Sequence, residues 1–386
     1  MTEEEDKTFK ILLLTAEFPP QIGGIATLTS QVARELHGKK RGDKNIRVHV
    51  VTSVGKREGY DFPVTRTPDF LNLKYLKILP LLFATVYACL KERPDRILLG
   101  KWTHEAFVGF LLKKVFRIPY LTFVHGSEIL KFSGGGIKTS VVKKLLNESE
   151  KVIAVSSYTK GLVANVGLAE QKVKVVNNAL NLDSYDRTAS GAYWDEKLAL
   201  EGKTVLLTVS RLVRRKGHDV VFDTLYDLVA DHPDIVYLIA GDGAYRAELE
   251  NKVEDLGLDE FVRFLGFVDG DSLDQLFAAG DVFIMPNRVE VGEGDVEGFG
   301  LSFLEANLFG LPVIAGESGG TVDAVVDEET GFLVEPTSKS EIKEKLVKLI
   351  EDEKLRNKLG RQGRERVLDQ FNSARQAEEI LELLIG

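Results

Sequence analysis

The sequence predicts an α/β protein built of two doubly wound units, and three observations carry that reading. The chain has 386 residues, and at about 100–200 residues per domain this length suits two. Short apolar runs alternate with helical patterns and lack clean period-2 alternation, as strands covered on both faces do. After a weakly patterned stretch at 182–202 the same alternation begins again.

The first unit opens with FKILLLTA at 9–16, a buried strand. A loop, EFPPQIGG at 17–24, leads into a helical stretch at 25–36 and a strand at 46–52. Strand, glycine loop, helix, strand is the opening of a doubly wound parallel sheet. Further strands are expected at 96–99, 119–125, 151–155 and 173–177. DSYDRTASGAYWDEKLALEG, at 183–202, reads as a linker with some helix. The second unit then runs strand 204–209, loop 211–217, helix 219–231, strand 235–240, helix 244–256 and strand 262–265. It continues with helix 272–279, strand 282–285, helix 300–309 and strand 313–315. The tail is helical at 340–352, 354–370 and 373–384. The expected division is 1–182 and 183–370.

Composition excludes several classes. The net charge is −9, which opposes bulk nucleic-acid binding, since that affinity rests on many basic phosphate contacts. A single cysteine, Cys89, rules out an intrachain disulfide and argues against a cysteine metal site. Residues 1–10 are acidic and polar, without the basic and apolar regions of a signal peptide, so a cytoplasmic location is expected. No apolar run approaches the ~18 residues of a spanning helix. LNLKYLKILPLLFATVYACLKER, at 71–93, is apolar with lysines and arginines at its flanks, and Pro80 breaks or starts a helix there. Its favoured reading is a helix hairpin buried in the domain. The other is an amphipathic surface for a lipid-linked acceptor or the anionic inner face of a membrane, with VVKKLL at 141–146 adding to it.

The chemistry concentrates in DVEGFGLSFLEANLFGL at 295–311. Glu297 and Glu305 flank Gly298-Phe299-Gly300 and an apolar helical run. A helix starting near Phe299 or Gly300 presents free backbone N–H groups that bind anions and hydroxyls, and glycine lets the ligand come close. Glu305 falls about one and a half turns into that helix, with Glu297 on the loop above it. The second window is SRLVRRKG at 210–217, directly after a strand, at the carboxyl edge where ligands of such sheets bind. Arg211 and Lys216 together suit a diphosphate leaving group, whereas Arg214 and Arg215 are expected in solvent. Gly23 and Gly24 before the first helix, Gly241-Asp242-Gly243 after a strand, and His125 at a strand end are further candidates, each weak alone. Asp269-Gly270-Asp271 has the D-x-D spacing of a metal motif but reads as a solvated turn, so no metal and no cofactor are expected.

Taken together, these windows resemble the retaining GT-B glycosyltransferases of family 4, over nearly the whole chain. FPPQIGGI at 18–25 and MPNRVEVGEGDVEGFG at 285–300 look most like the phosphatidylinositol-mannoside mannosyltransferases. The resemblance implies a GT-B fold, two Rossmann-like domains facing across a cleft, with 371–386 packing back on the N-terminal one. The implied activity is metal-independent transfer of a hexose, mannose first, from a nucleotide diphosphate sugar such as GDP-mannose to a lipid, glycan or small-molecule hydroxyl. Arg211 and Lys216 would hold the diphosphate, Glu297 would face the sugar, and Glu305 would bind the ribose. The N–H groups of Phe299, Gly300 and Leu301 would bind sugar hydroxyls and the α-phosphate, and Gly24 the phosphates. His125 would contact the sugar, and Phe267-Val268 the base. No enzymic nucleophile stands out, which suits attack from the leaving-group face. A sugar-nucleotide epimerase and a non-catalytic nucleotide-sugar-binding module are the alternatives.

Overall fold

The computed structural model describes residues 7–21, 23–53, 59–67, 78–132, 137–290 and 294–386. It divides into two units, Met1–Ala179 with Ser373–Gly386, and Leu180–Asn372. In the first, β1 (Thr8–Thr15) is followed by α1 (Gly24–Leu36), β2 (Lys40–Arg41), β3 (Lys44–Thr52) and β4 (Val64–Arg66). Then come α2 (Ile78–Glu92), β5 (Arg96–Leu99), α3 (His104–Phe116), β6 (Tyr120–Val124), α4 (Ser127–Leu130), α5 (Ile137–Glu148), β7 (Val152–Ala154), α6 (Ser157–Asn165) and β8 (Val173–Val175). The strands order as β2-β3-β1-β5-β6-β7-β8, with β4 on β3. All pairs are parallel except the short β2–β3 hairpin. β1 pairs with β3 from Thr8↔Asn45 to Thr15↔Thr52.

The second unit contains α7 (Ala192–Leu198), β9 (Thr204–Val209), α8 (His218–Tyr226), β10 (Ile235–Ala240), α9 (Arg246–Asp255), β11 (Val262–Gly266) and α10 (Gly270–Ala278). It goes on through β12 (Val282–Met285), α11 (Leu301–Leu308), β13 (Val313–Gly316), α12 (Thr321–Ala324), β14 (Gly331–Val334), α13 (Lys339–Glu351) and α14 (Glu353–Gln370). Its sheet is wholly parallel, in the order β11-β10-β9-β12-β13-β14. The central strands are apolar on both faces because helices cover both, so Leu206, Leu207, Ile239, Ile284 and Ile314 are all fully buried. Each such side chain contributes roughly 1.5–3 kcal/mol. Order reversal at β9 and β12 opens the carboxyl edge of the sheet there, where ligands of doubly wound folds bind.

The last helix, α15 (Ser373–Ile385), belongs to the first unit. Ile380, Leu381 and Leu384 are buried. Ser373 Oγ donates to Glu35 Oε1 at 2.6 Å, and Gln376 Nε2 donates to the Asn177 carbonyl at 2.6 Å.

Two expectations need correction. The first part of the hairpin expected over 71–93, residues 71–77, lies outside the described ones; the rest, α2, is buried on one side only rather than throughout. Only one side of it, with Leu81, Thr85, Ala88 and Cys89, is buried. Leu79, Phe83, Tyr87 and Leu90, spaced along the other side, are exposed, Phe83 by 70%. The stretch at 183–202 is a packed part of the second unit and more than a linker. Trp194 on α7 is buried, and its indole N–H donates to the Ser272 carbonyl at 2.9 Å. Among the described residues no helix is long and apolar enough to cross a membrane.

Candidate functional site

Three strand ends meet in the second unit. The Ser210 N–H donates to the Ala240 carbonyl (3.0 Å), the Leu212 N–H to the Asp242 carbonyl (3.0 Å), and the Gly241 N–H to the Gly266 carbonyl (2.7 Å). The loops after β9, β10 and β11 are thus laced by backbone. Glycine is required for this: a Cβ on Gly241, at φ +132°, would lie 1.8 Å from the Ser210 carbonyl oxygen. The G-D-G turn therefore seats the SRLVRRKG loop.

At the end of that loop Lys216 and Arg215 are buried together, each 7% exposed. Lys216 Nζ donates to Glu297 Oε2 at 2.6 Å and Arg215 Nη1 to the same oxygen at 2.7 Å. Arg215 Nε donates to Asp295 Oδ2 at 2.9 Å. Burial alone would raise the Glu297 carboxyl, but the Lys216 and Arg215 charges reverse that and bring it down to about 2. Lys216 is held below the ordinary lysine value by burial, with Glu297 supporting its charge and Arg215 and Arg211 opposing it. The expectation that Arg215 faces solvent is wrong: only Arg214 does, paired with Glu248. The physical reason is the pair of carboxylates two apart, Asp295 and Glu297, which an arginine fork spans and a lysine point charge does not. Arg211 is exposed, with no ion pair among the described residues.

A second brace backs this cluster. Arg288 grips Asp219 with two bonds of 3.0 and 3.1 Å and Glu290 with one of 2.9 Å, while its N–H donates to the Arg215 carbonyl. Residues 291–293 fall outside the described ones. The flanking Glu290 and Asp295 pair through their backbones.

α11 begins at Leu301, one residue later than the sequence suggested, with Gly300 before it at φ +99°. A Cβ on Gly300 would come 2.4 Å from the Phe303 ring, so glycine is needed here too. Among the described residues the N–H groups of Phe299, Gly300 and Leu301 donate to no protein acceptor, which leaves three unpaired donors at the start of α11. The Phe299 ring packs against Phe371 at 5.7 Å, and the residue as a whole is buried. Glu305 accepts a 2.9 Å hydrogen bond from the Tyr185 hydroxyl. Burial raises its carboxyl, and the Tyr185 bond only partly counters this. Phe267, 60% exposed, and Val268 follow β11. Asp269 and Asp271 are exposed at the start of α10.

In the first unit Gly23 and Gly24 are exposed at the start of α1, with nothing near enough to touch an added Cβ. His125 follows β6. Its Nε2 is 2.7 Å from the Gly100 carbonyl oxygen, and its N–H donates to Glu128.

Sequence reasoning missed Arg215, Asp295, Arg288 and Tyr185 as site residues. The D-x-E spacing beside three clustered cations was a usable signal for the first two. Tyr185 carried none, because its role depends on the stretch after β8 folding onto α11.

Comparison with known proteins now bears on the assignment. Residues 193–366 match the model of the glycosyl transferases group 1, and residues 22–184 that of Glycosyltransferase Family 4. An uncharacterized glycosyltransferase of Methanocaldococcus jannaschii is 30% identical over 363 residues, covering 86% of this chain and 87% of its own. The chain belongs to the family 4 glycosyltransferases. Within that family it is similar to a GDP-mannose-dependent alpha-(1-6)-phosphatidylinositol monomannoside mannosyltransferase of Mycolicibacterium smegmatis. That relative is 28% identical over 389 residues, covering 97% of this chain and 98% of the relative. The fold matches that of Anabaena HepE, solved in complex with UDP and glucose, with a TM-score of 0.78 at 23% identity, over 98% of this chain and 100% of the other. The fold is GT-B.

Proposed function

We propose that this glycosyltransferase moves a hexose, with mannose favoured, from a nucleotide diphosphate sugar to a hydroxyl acceptor with retention of configuration. The observation that carries the reading is the buried Lys216–Glu297–Arg215 cluster, set beside the unpaired N–H groups at the start of α11. Lys216 and the exposed Arg211 meet the diphosphate charge as the sugar departs, without a divalent cation. Glu297, ionised at neutral pH, faces the sugar and the positive charge of the oxocarbenium-like state. Glu305 accepts from the ribose, and Phe267 and Val268 flank the base. In the first unit, His125 is assigned to the sugar and Gly23 and Gly24 to the phosphates. With no side chain assigned as nucleophile, the leaving phosphate takes the acceptor's proton.

GDP-mannose is the first donor choice because of the mannosyltransferase relatives. The UDP complexes of structural neighbours keep UDP-sugars in the test. A lipid-linked acceptor is supported by the exposed apolar side of α2, bordered by α3 with Phe107 and Val115 exposed, against which α5 with exposed Val141 packs in turn. Lys114 and Lys144 lie over the Phe110 ring between them, at 5.4 and 5.8 Å. Apolar side chains ringed by lysines suit the anionic inner face of a membrane.

The test is a thermal-shift screen of GDP-mannose, UDP-glucose and UDP-N-acetylglucosamine, followed by product analysis with vesicles of phosphatidylinositol mannosides. Stabilisation by GDP-mannose and a mannosylated lipid are expected. An isomerised nucleotide sugar formed without acceptor, or stabilisation with no turnover on any acceptor, would overturn the proposal.

A further inference from the structure

A buried chain of hydrogen bonds closes the base of the loop that carries Arg211 and Lys216. Ser210 and His218 stand at the loop's two ends, and Ser210 Oγ lies 3.2 Å from His218 Nε2. His218 Nδ1 is 3.1 Å from the Tyr237 hydroxyl, which is 2.7 Å from Thr208 Oγ1. Thr208 Oγ1 in turn bonds to the Ile284 carbonyl. Thr208, His218, Tyr237 and Ile284 are fully buried, on β9, α8, β10 and β12.

The far end of this chain fixes its direction. A carbonyl only accepts, so Thr208 donates to Ile284. A hydroxyl has one proton, so Thr208 accepts from Tyr237, and Tyr237 accepts from His218 Nδ1–H. Nε2 is left with its lone pair as an acceptor for the Ser210 hydroxyl. The Arg211 carbonyl, which receives the Val213 N–H at 3.0 Å, is a second acceptor within reach of the Ser210 hydroxyl, at 3.2 Å. A second proton on the ring is opposed by burial and by the Lys216 charge, with Asp219 countering weakly, and His218 is pushed down to about 3.

We propose that His218 is a positioning residue for sugar transfer: as a neutral imidazole protonated on Nδ1, it ties both ends of the 210–218 loop to β10 and β12 and fixes the backbone from which Arg211 and Lys216 act. This rests on the donor-site reading above. His218 itself touches no substrate. Its effect runs through the loop, where a displacement of about 1 Å costs on the order of 100-fold in rate.

Two measurements test this, and they fail separately. The first is ¹⁵N NMR of the histidine rings, with His218 assigned by comparison with His218→Gln. An Nδ1-protonated, neutral ring is expected from pH 5 to 8. An Nε2-protonated ring, or titration within that range, overturns the network whatever the enzyme does. The second is kinetics with the donor that the screen identifies. His218→Phe and Tyr237→Phe should lower kcat about 10-fold to 100-fold with donor KM within about threefold. His218→Asn, whose amide N–H replaces Nδ1–H toward Tyr237, should recover part of the loss. Wild-type kcat in a folded His218→Phe overturns the proposal. If that variant does not fold, Ser210→Ala, which removes one bond at a half-buried position, decides it: an unchanged kcat is the contrary result. Absence of turnover in the wild type would instead fault the transfer reading, with the NMR result still deciding the network.

Discussion

Replacing Glu297 with Gln isolates the charge at the centre of the donor site. The substitution keeps the side chain's shape and one acceptor oxygen but leaves Lys216 and Arg215, both buried, facing a neutral partner. A carboxyl held at about 2 against an ordinary 4.5 corresponds to about 3 kcal/mol of native-state stability. That agrees with the roughly 3–5 kcal/mol lost on breaking a buried ion pair from one side. Asp295 remains on Arg215 and limits the damage, so about 3 kcal/mol is the better figure. For a unit of this size each kcal/mol moves the midpoint by about 2–4 °C, so Tm should fall by roughly 6–12 °C at pH 7. The sign of the pH dependence follows from the depressed carboxyl. Its contribution is fully present above about pH 4.5 and is lost as pH falls through about 2. The gap between wild type and variant should therefore be widest near neutrality and narrow below pH 4.5. Calorimetry of both proteins at pH 7, 5 and 3.5 reads this directly. A Tm shift below about 1 °C at pH 7, or a gap that stays constant into acid, would refute the argument.

Three further outcomes are expected. Lys216→Ala should lower kcat by about 100-fold to 1,000-fold, the magnitude typical of removing one charge-stabilising group, as read by nucleotide diphosphate release. Tyr185→Phe removes the 2.9 Å bond to Glu305 and pushes that carboxyl still higher. Donor KM should rise about fivefold to tenfold with kcat nearly unchanged, and the acid limb of the KM profile should move to higher pH. Phe83→Glu with Leu90→Glu should weaken sedimentation with anionic vesicles at least about 10-fold while leaving thermal stability within about 1 °C, because both side chains point into solvent.

The two-unit α/β architecture was legible because parallel strands covered on both faces read as short continuous apolar runs, and because the alternation restarts after residue 202. The candidate site was legible where chemistry is local. Lys216 lies in the loop after β9 next to Gly217, and Glu297 and the GFG turn lie just before α11, so their sequence neighbourhood states their placement. Arg215 was misread because a surface loop with four cations looks solvated until Asp295 and Glu297, 80 and more residues on, fold against it. Tyr185 was invisible for the same reason, since its partner Glu305 is brought close only by the fold. The α2 segment was misassigned because hydrophobicity alone does not say which side of a helix the core covers. Its pattern is apolar all round, and only the packing of β1, β3 and α3 against one side decides.

The central claim is that the Lys216–Glu297 centre departs a nucleotide diphosphate from a hexose and passes the sugar on with its configuration kept. The most direct measurement is proton and carbon NMR of the product formed from GDP-mannose and a phosphatidylinositol-mannoside acceptor, run beside the Lys216→Ala protein. The account predicts an α-linked mannose from the wild type and at most about one hundredth of that rate from the variant. A β-linked product, or equal rates from the two proteins, would contradict it.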